Sequence, residues 1–377
     1  MSVIHRVVTS ASAVVAAVVV GAGLATTTPA LAVTNPSSFI GNLHKISDIA
    51  STVPANGDVN PYGVAVVRHS RGRLYRGDIL VSNFNNKANL QGTGTTIVEI
   101  SPGGQVSQFA RIRASQLPGS CPGGVGLTTA LAVLRGGWVV VGSTPSKNGM
   151  AATAKAGCLI VLDSHGTVRE TISGNGINGP WDMTSIGHGR FAELFVTNVL
   201  NGTVAANGAV VHRGTVLRLL VRVFRNIPPQ VLAVTTIGSG FSEQSDPAAF
   251  IIGPTGVGLG RNGTLYVADT GPNRITAIPH AVTRFTSAGT GLVVTRGGKL
   301  NAPLGLAIAP NGDILTVNGG DGRIVETTPG GVQVAHRFLD TSGSPPGSGA
   351  LFGLAVTPGG RGVYFVDDAT NFLRLLH

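Results

Sequence analysis

Charge, sulfur and aromatic rings are scarce in this chain. Of 377 residues, 12% are charged and 5% aromatic, and only two are cysteines, Cys121 and Cys158. No stretch beyond the N-terminus keeps apolar residues at helical spacing, which excludes a helical bundle or a regular alternation of strands and helices. One apolar run, Val7 to Ala25, approaches membrane-spanning length, and no other segment could cross a bilayer. Signatures of nucleotide and hydrolase chemistry are missing. There is no Gly-Lys-Ser/Thr and no G-x-S-x-G, and Gly174-Asn-Gly-Ile-Asn-Gly179 matches G-x-G-x-x-G without a helix to follow it. The histidines are scattered, with no pair at zinc-ligand spacing.

Glycine, by contrast, is abundant, with 55 residues, and it sits in a recurring phrase. The fullest copy runs from Gly253 to Ile278: an apolar strand, an Asn262-Gly263 hairpin turn, the strand Thr264–Ala268, a turn at Asp269–Asn273, and a third strand. Asn-Gly supplies the positive φ that a tight hairpin needs. The phrase returns as Pro61-Tyr-Gly-Val-Ala-Val, Pro122-Gly-Gly-Val-Gly-Leu, Pro180-Trp-Asp-Met-Thr-Ser, Pro303-Leu-Gly-Leu-Ala-Ile and Leu351-Phe-Gly-Leu-Ala-Val, which makes six copies. Units this small bury their faces only by stacking, and six closing into a ring predict an all-β, six-bladed β-propeller of four-stranded antiparallel blades. The blades are expected to start near residues 60, 121, 179, 253, 302 and 350.

Pro254-Thr-Gly-Val-Gly-Leu, Leu265-Tyr-Val-Ala-Asp-Thr and Asn273-Arg-Ile together resemble the NHL repeat of six-bladed propellers. The match is close at 253–278, good at 302–325 and partial in the other four units, which lose the Asp…Asn-Arg turn. The resemblance implies a fold and is nearly silent on activity. It also implies that Asp269, Asn273 and Arg274 tie a blade turn together.

The N-terminus reads as a secretory signal peptide over residues 1–32, with His5-Arg6, the apolar run and an Ala-x-Ala end at Ala32. Secretion or retention in the cell envelope follows as an expectation, with no membrane span left after cleavage. Residues 33–59 are expected to hold a lead-in and a closing strand, and residues 60–377 the propeller. Phe372–His377 is the third strand of the last blade, so Phe39–Ile49 is predicted to supply its fourth and close the ring. In an exported protein the two cysteines suggest one disulfide. Strict placement on the first and third strands of a blade would hold them about 10 Å apart, too far to bridge. Both readings stand at this point. The formal net charge is +10, carried by residues scattered along the sequence; no nucleic-acid partner is expected.

The turns between second and third strands are long in the first three blades, at Asn83–Gly94, Ser143–Gly157 and Asn198–Gly214, and short in the rest. Loops gathered on one rim often form a binding face. The channel mouth is predicted to be ringed by the residue after each proline: Tyr62, Gly123, Trp181, Thr255, Leu304 and Phe352, with Asp182 where glycine is usual. A second ring, Asn83, Ser143, Asn198, Asp269, Asn318 and Asp367, ends the second strands, where such side chains cap turns. The expected ligand site combines Tyr62, Asn83, Asn86, Trp181, Asp182, Asn198, Asn201 and Phe352. Aromatic faces with amides beside them suit an extracellular glycan, peptide or protein, bound by a monomer without a cofactor. The alternative is a propeller enzyme of lactonase or lyase type with calcium in the channel, held by Asp182 and asparagines such as Asn60, Asn178 and Asn198.

Overall fold

The computed structural model describes residues 37–377; the expected signal peptide lies outside the described residues. Six antiparallel sheets follow one another along the chain. Blade 1 is β2 (Val59–Val66), β3 (Ile79–Asn85), β4 (Thr96–Ile100) and β5 (Val106–Arg111), and β1 (Ile46–Ser51) precedes it. Blade 2 is β6 (Leu127–Leu134), β7 (Trp138–Ser143), β8 (Cys158–Leu162) and β9 (Val168–Ile172). Blade 3 is β10 (Gly179–His188), β11 (Phe191–Val199), β12 (Val211–Arg222), β13 (Gln230–Asp246) and a short fifth strand, β14 (Phe250–Ile252). Blade 4 is β15 (Pro254–Leu259), β16 (Leu265–Asp269), β17 (Arg274–Ile278) and β18 (Leu292–Arg296). Blade 5 is β19 (Pro303–Ile308), β20 (Ile314–Asn318), β21 (Arg323–Thr327) and β22 (Gln333–Phe338). Blade 6 is β23 (Leu351–Val356), β24 (Val363–Asp367) and β25 (Phe372–Leu376), completed by β1. The fold is a six-bladed β-propeller.

Second and third strands are buried on both faces between neighbouring blades, so they read as unbroken apolar runs such as Trp138-Val-Val-Val and Cys158-Leu-Ile-Val-Leu. The glycine of the repeated phrase marks where one inner strand crosses the next. A Cβ on Gly305 would lie 2.0 Å from the carbonyl oxygen of Phe352, and one on Gly353 2.1 Å from that of Tyr62. Hydroxyls then stitch blade to blade. Ser82 donates to the carbonyl of Thr128 (2.7 Å), Thr128 to Pro180 (2.7 Å), Thr197 to Thr255 (2.7 Å) and Thr270 to Pro303 (2.7 Å).

The second ring caps turns, as its residue types predict. Asn198 Oδ1 accepts the amides of Asn178 and Gly179, and Asn318 donates to the Lys299 carbonyl. Asp269 binds Arg274 at 2.7 Å. Asn273 reaches further, since its Oδ1 accepts the amide of Ala302 at the start of blade 5. Asn371 does the same from blade 6 to Asn60 of blade 1.

Closure occurs as expected, over a narrower strand. β1 pairs antiparallel with β25 from Ile46↔Leu376 to Ser51↔Phe372. Arg374 of β25 bridges Asp48 of β1 (2.8 Å) and Asp367 of β24 (2.7 Å). The front of the predicted strand is instead a 3-10 turn, Ile40–Asn42. Glu326 causes it: its carboxylate accepts the Ser38 hydroxyl (2.7 Å) and the amides of Phe39 (2.7 Å) and Ile40 (2.8 Å), which an extended chain could not offer together.

Blade 2 requires a second correction. Its inner strand starts at Leu127, which pairs with Ser143, so the Pro122-Gly-Gly phrase lies in the loop before it. Thr128, and not Gly123, takes the mouth position. The displaced loop carries Cys121 away from the first strand to bond Cys158, with Cα atoms 5.2 Å apart. The bridge forms because only one cysteine lies on a strand.

Deleting residues 37–51 should lower global stability by about 3 kcal/mol or more, because it uncovers the β25 edge and strips Glu326 of its donors. Urea denaturation checks this; an unchanged midpoint would show that β1 is an ornament on an already closed ring.

Candidate functional site

A cavity of about 860 Å3 opens at the end of the channel where the inner strands begin. All six blades contribute to its wall, including Tyr62, Thr129, Trp181, Thr255, Leu304 and Phe352. A second opening, of about 950 Å3, lies at the other end. Thr129, Asp182 and Gly305 line both and mark the waist between them.

The aromatic residues form a cluster that stiffens one side of the mouth. Tyr62 stacks on Phe84 (4.5 Å between ring centroids) and lies 4.0 Å from Phe352. Trp181 meets Phe84 edge-on (5.6 Å) and stacks on Phe250 (6.2 Å). Sequence reading missed Phe84 and Phe250. Phe250 arrives on the hairpin between β13 and β14, which was read as a plain linker. Its signal was Asp246-Pro247: the Asp246 carboxylate accepts the amides of Ala248 and Ala249 and makes the turn.

The long loops interlock above this cluster. Ser146 donates through its amide to the Gly92 carbonyl (2.9 Å) and through its hydroxyl to the Gln91 carbonyl (2.5 Å). The Gln91 side-chain amide in turn donates to Ala248 (2.7 Å). Blades 1, 2 and 3 therefore share one roof over part of the mouth.

Four of the eight expected ligand residues, Tyr62, Trp181, Asp182 and Phe352, lie on the cavity wall. The other four do not. Asn83 is fully buried and donates to Thr52. Asn86 caps its own loop through the amides of Ala88 and Leu90. Asn198 and Asn201 hold the start of blade 3, where Asn201 Oδ1 accepts from Asn178 (2.6 Å). An asparagine in a turn satisfies its neighbouring backbone first, which takes these side chains out of the mouth.

Other oxygens replace them. Asn60, Asn85, Gln91, Ser242 and Glu243 line the cavity, and each holds a buried side-chain oxygen without a protein partner. Enclosing such an atom unpaired costs on the order of 1–3 kcal/mol, which a donor arriving in the cavity would offset.

Three carboxyls share the wall. Burial pushes Asp182 up to about 7, against the opposing amides of Met183 and Val257. Its side chain faces the narrow waist, so the water it meets is confined. Burial likewise raises Glu243 to about 7, opposed by the Asn201 amide and the charge of Arg213. Asp368 is raised to about 7 by burial and by the neighbouring charge of Asp367. Burial and the Asp368 charge push the Tyr62 phenol upward. Calcium takes six to eight oxygen ligands. Among the described residues no three of His, Cys, Asp and Glu converge on one point, so the residues present do not fit the calcium centre of the alternative reading.

An acid that holds its proton more tightly when folded stabilises the fold fully below about pH 4 and progressively less as pH rises through 7. Asp182→Asn removes that loss while keeping an acceptor for Val257. The variant should match the parent at pH 4 and exceed it by roughly 1–3 kcal/mol at pH 8.5. Urea midpoints at the two pH values read this difference, and equal stability at pH 8.5 would mean that Asp182 is freely solvated.

No protein-family model and no curated protein matches the chain. Solved structures do resemble it. A streptogramin B lyase aligns with TM-score 0.50 and 14% identity, over 90% of this chain and 99% of that one. A gluconolactonase from Xanthomonas campestris aligns with TM-score 0.50 and 14% identity, over 86% and 87%. Regucalcin, a calcium-binding protein from Agrobacterium tumefaciens, aligns with TM-score 0.53 and 11% identity, over 88% and 93%. At these identities the likeness is one of fold: this chain is similar to six-bladed propellers whose own activities differ from one another.

Proposed function

We propose that this protein is an extracellular, NHL-like propeller that binds a saccharide, free or as part of an envelope glycan, in the mouth cavity. The observation that carries this reading is the set of partnerless oxygens on Asn60, Asn85, Gln91, Ser242 and Glu243 around a cavity framed by aromatic rings. Sugars bring many hydroxyl donors and apolar ring faces, which answer both features. A peptide answers the aromatics but offers fewer donors per unit volume. The Cys121–Cys158 bridge fits an oxidising compartment, in keeping with the secretory pattern of the first residues. No helix of the described residues is long and apolar enough to cross a membrane.

A second reading, chemistry at the waist, is favoured by Asp182 alone, a channel carboxyl poised near neutral pH as a general acid or base would be.

Calorimetric titration with a panel of oligosaccharides tests the binding reading. Asn85→Ala and Gln91→Ala should each weaken the best ligand by roughly tenfold, one hydrogen bond's worth, with little change in thermal midpoint. Equal affinity in both variants would remove these residues from the site; turnover of the sugar, lost in Asp182→Asn, would favour the second reading.

A further inference from the structure

The arginines that look scattered in the sequence are gathered by the fold. Hairpins joining the first and second strands of every blade lie at the end opposite the mouth cavity. Those of blades 1, 2, 3, 4 and 6 present exposed arginines, among them Arg68, Arg76, Arg135, Arg190, Arg261 and Arg361. The two acids in these hairpins do not offset them at the surface, because Asp313 is buried and Asp78 half-buried. Contacts between hairpins make them one continuous face: Arg71 donates to the Arg225 carbonyl (2.8 Å), and the Arg73 amide to that of Ser164 (2.8 Å). Large apolar side chains stand exposed among the arginines at the same end. Tyr75 is 62% exposed, Ile227 61%, Val332 61% and Phe285 83%. The carboxylates of the mouth, Asp182, Glu243 and Asp368, sit on the other side of the waist or at it.

We propose that this face docks on an anionic lipid bilayer. Arginines supply attraction to the headgroups, and loop-tip side chains such as Tyr75 and Ile227 insert among the acyl-chain ends, as in interfacial binding generally. A soluble polyanion would use the arginines equally well and gain nothing from the apolar tips, so the combination selects the bilayer. Docked this way, the propeller holds its cavity away from the membrane and open to ligand.

Co-sedimentation of the full chain with vesicles of phosphatidylglycerol and phosphatidylcholine, against phosphatidylcholine alone, tests the proposal. Arg68, Arg76, Arg190 and Arg361 make no side-chain hydrogen bond or ion pair within the described residues, so changing all four to glutamine should leave folding intact. Each arginine is expected to contribute about fivefold, so the quadruple variant should bind anionic vesicles at least about a hundredfold more weakly. Tyr75→Ser with Ile227→Ser should also weaken vesicle binding while leaving the thermal midpoint unchanged. Equal binding to anionic and neutral vesicles overturns the proposal, as does a quadruple variant that binds like the parent. Polyphosphate binding as tight as vesicle binding, with no effect of the Tyr75 and Ile227 changes, would assign the face to a soluble polyanion instead. None of these outcomes bears on the mouth cavity.

Discussion

Closure of the ring is the constraint on which the rest of this structure depends. A propeller blade has a neighbour on each side, and its second and third strands are dry only when both are present. β1 supplies the last blade with its outer strand, and Asn371 fastens that blade to Asn60 of the first. Between the other blades the same task falls to Ser82, Thr128, Thr197 and Thr270, each giving a hydroxyl proton to the next blade's first carbonyls. These bonds lie around the channel, where strand pairing cannot reach from one sheet to the next. They also explain why the inner strands combine small residues with threonine and serine: glycine allows the close crossing, and the hydroxyl pins it.

The mouth cavity inherits its shape from this closure, because every blade contributes to its wall. Stiffness on one side comes from the rings of Tyr62, Phe84, Trp181 and Phe250, and from loops tied together through Gln91 and Ser146. The polar groups left without partners lie on this rigid frame. A site built so costs stability in the free protein, which is the usual mark of preorganisation for a ligand.

Much of the fold was legible because it repeats. Pro-x-Gly phrases, Asn-Gly hairpins and apolar second strands gave six blades and the position of the closing strand. The failures are local and have physical causes. Pro122-Gly123-Gly124 has the letters of the phrase but lacks the β-rich residues of a strand directly behind it, and the true inner strand begins at Leu127. Phe39–Ile49 alternates like a strand, yet its first turn bends to satisfy Glu326, 286 residues away from Ile40. The site was half legible. Tyr62, Trp181, Asp182 and Phe352 follow from register alone. Glu243, Asp368 and Phe250 do not, because only tertiary packing brings the β13–β14 hairpin and the end of β24 to the mouth.

Closure as the source of cooperativity is most directly tested by native-state hydrogen exchange. If β1 and β25 hold the ring as one unit, the amides of Lys45 and His377, which pair with each other's carbonyls, and those within β1 should exchange only through global unfolding, with the same free energy as the amides of β7 and β16. Exchange of β1 through local opening, several kcal/mol below that of the inner blades, would contradict the account.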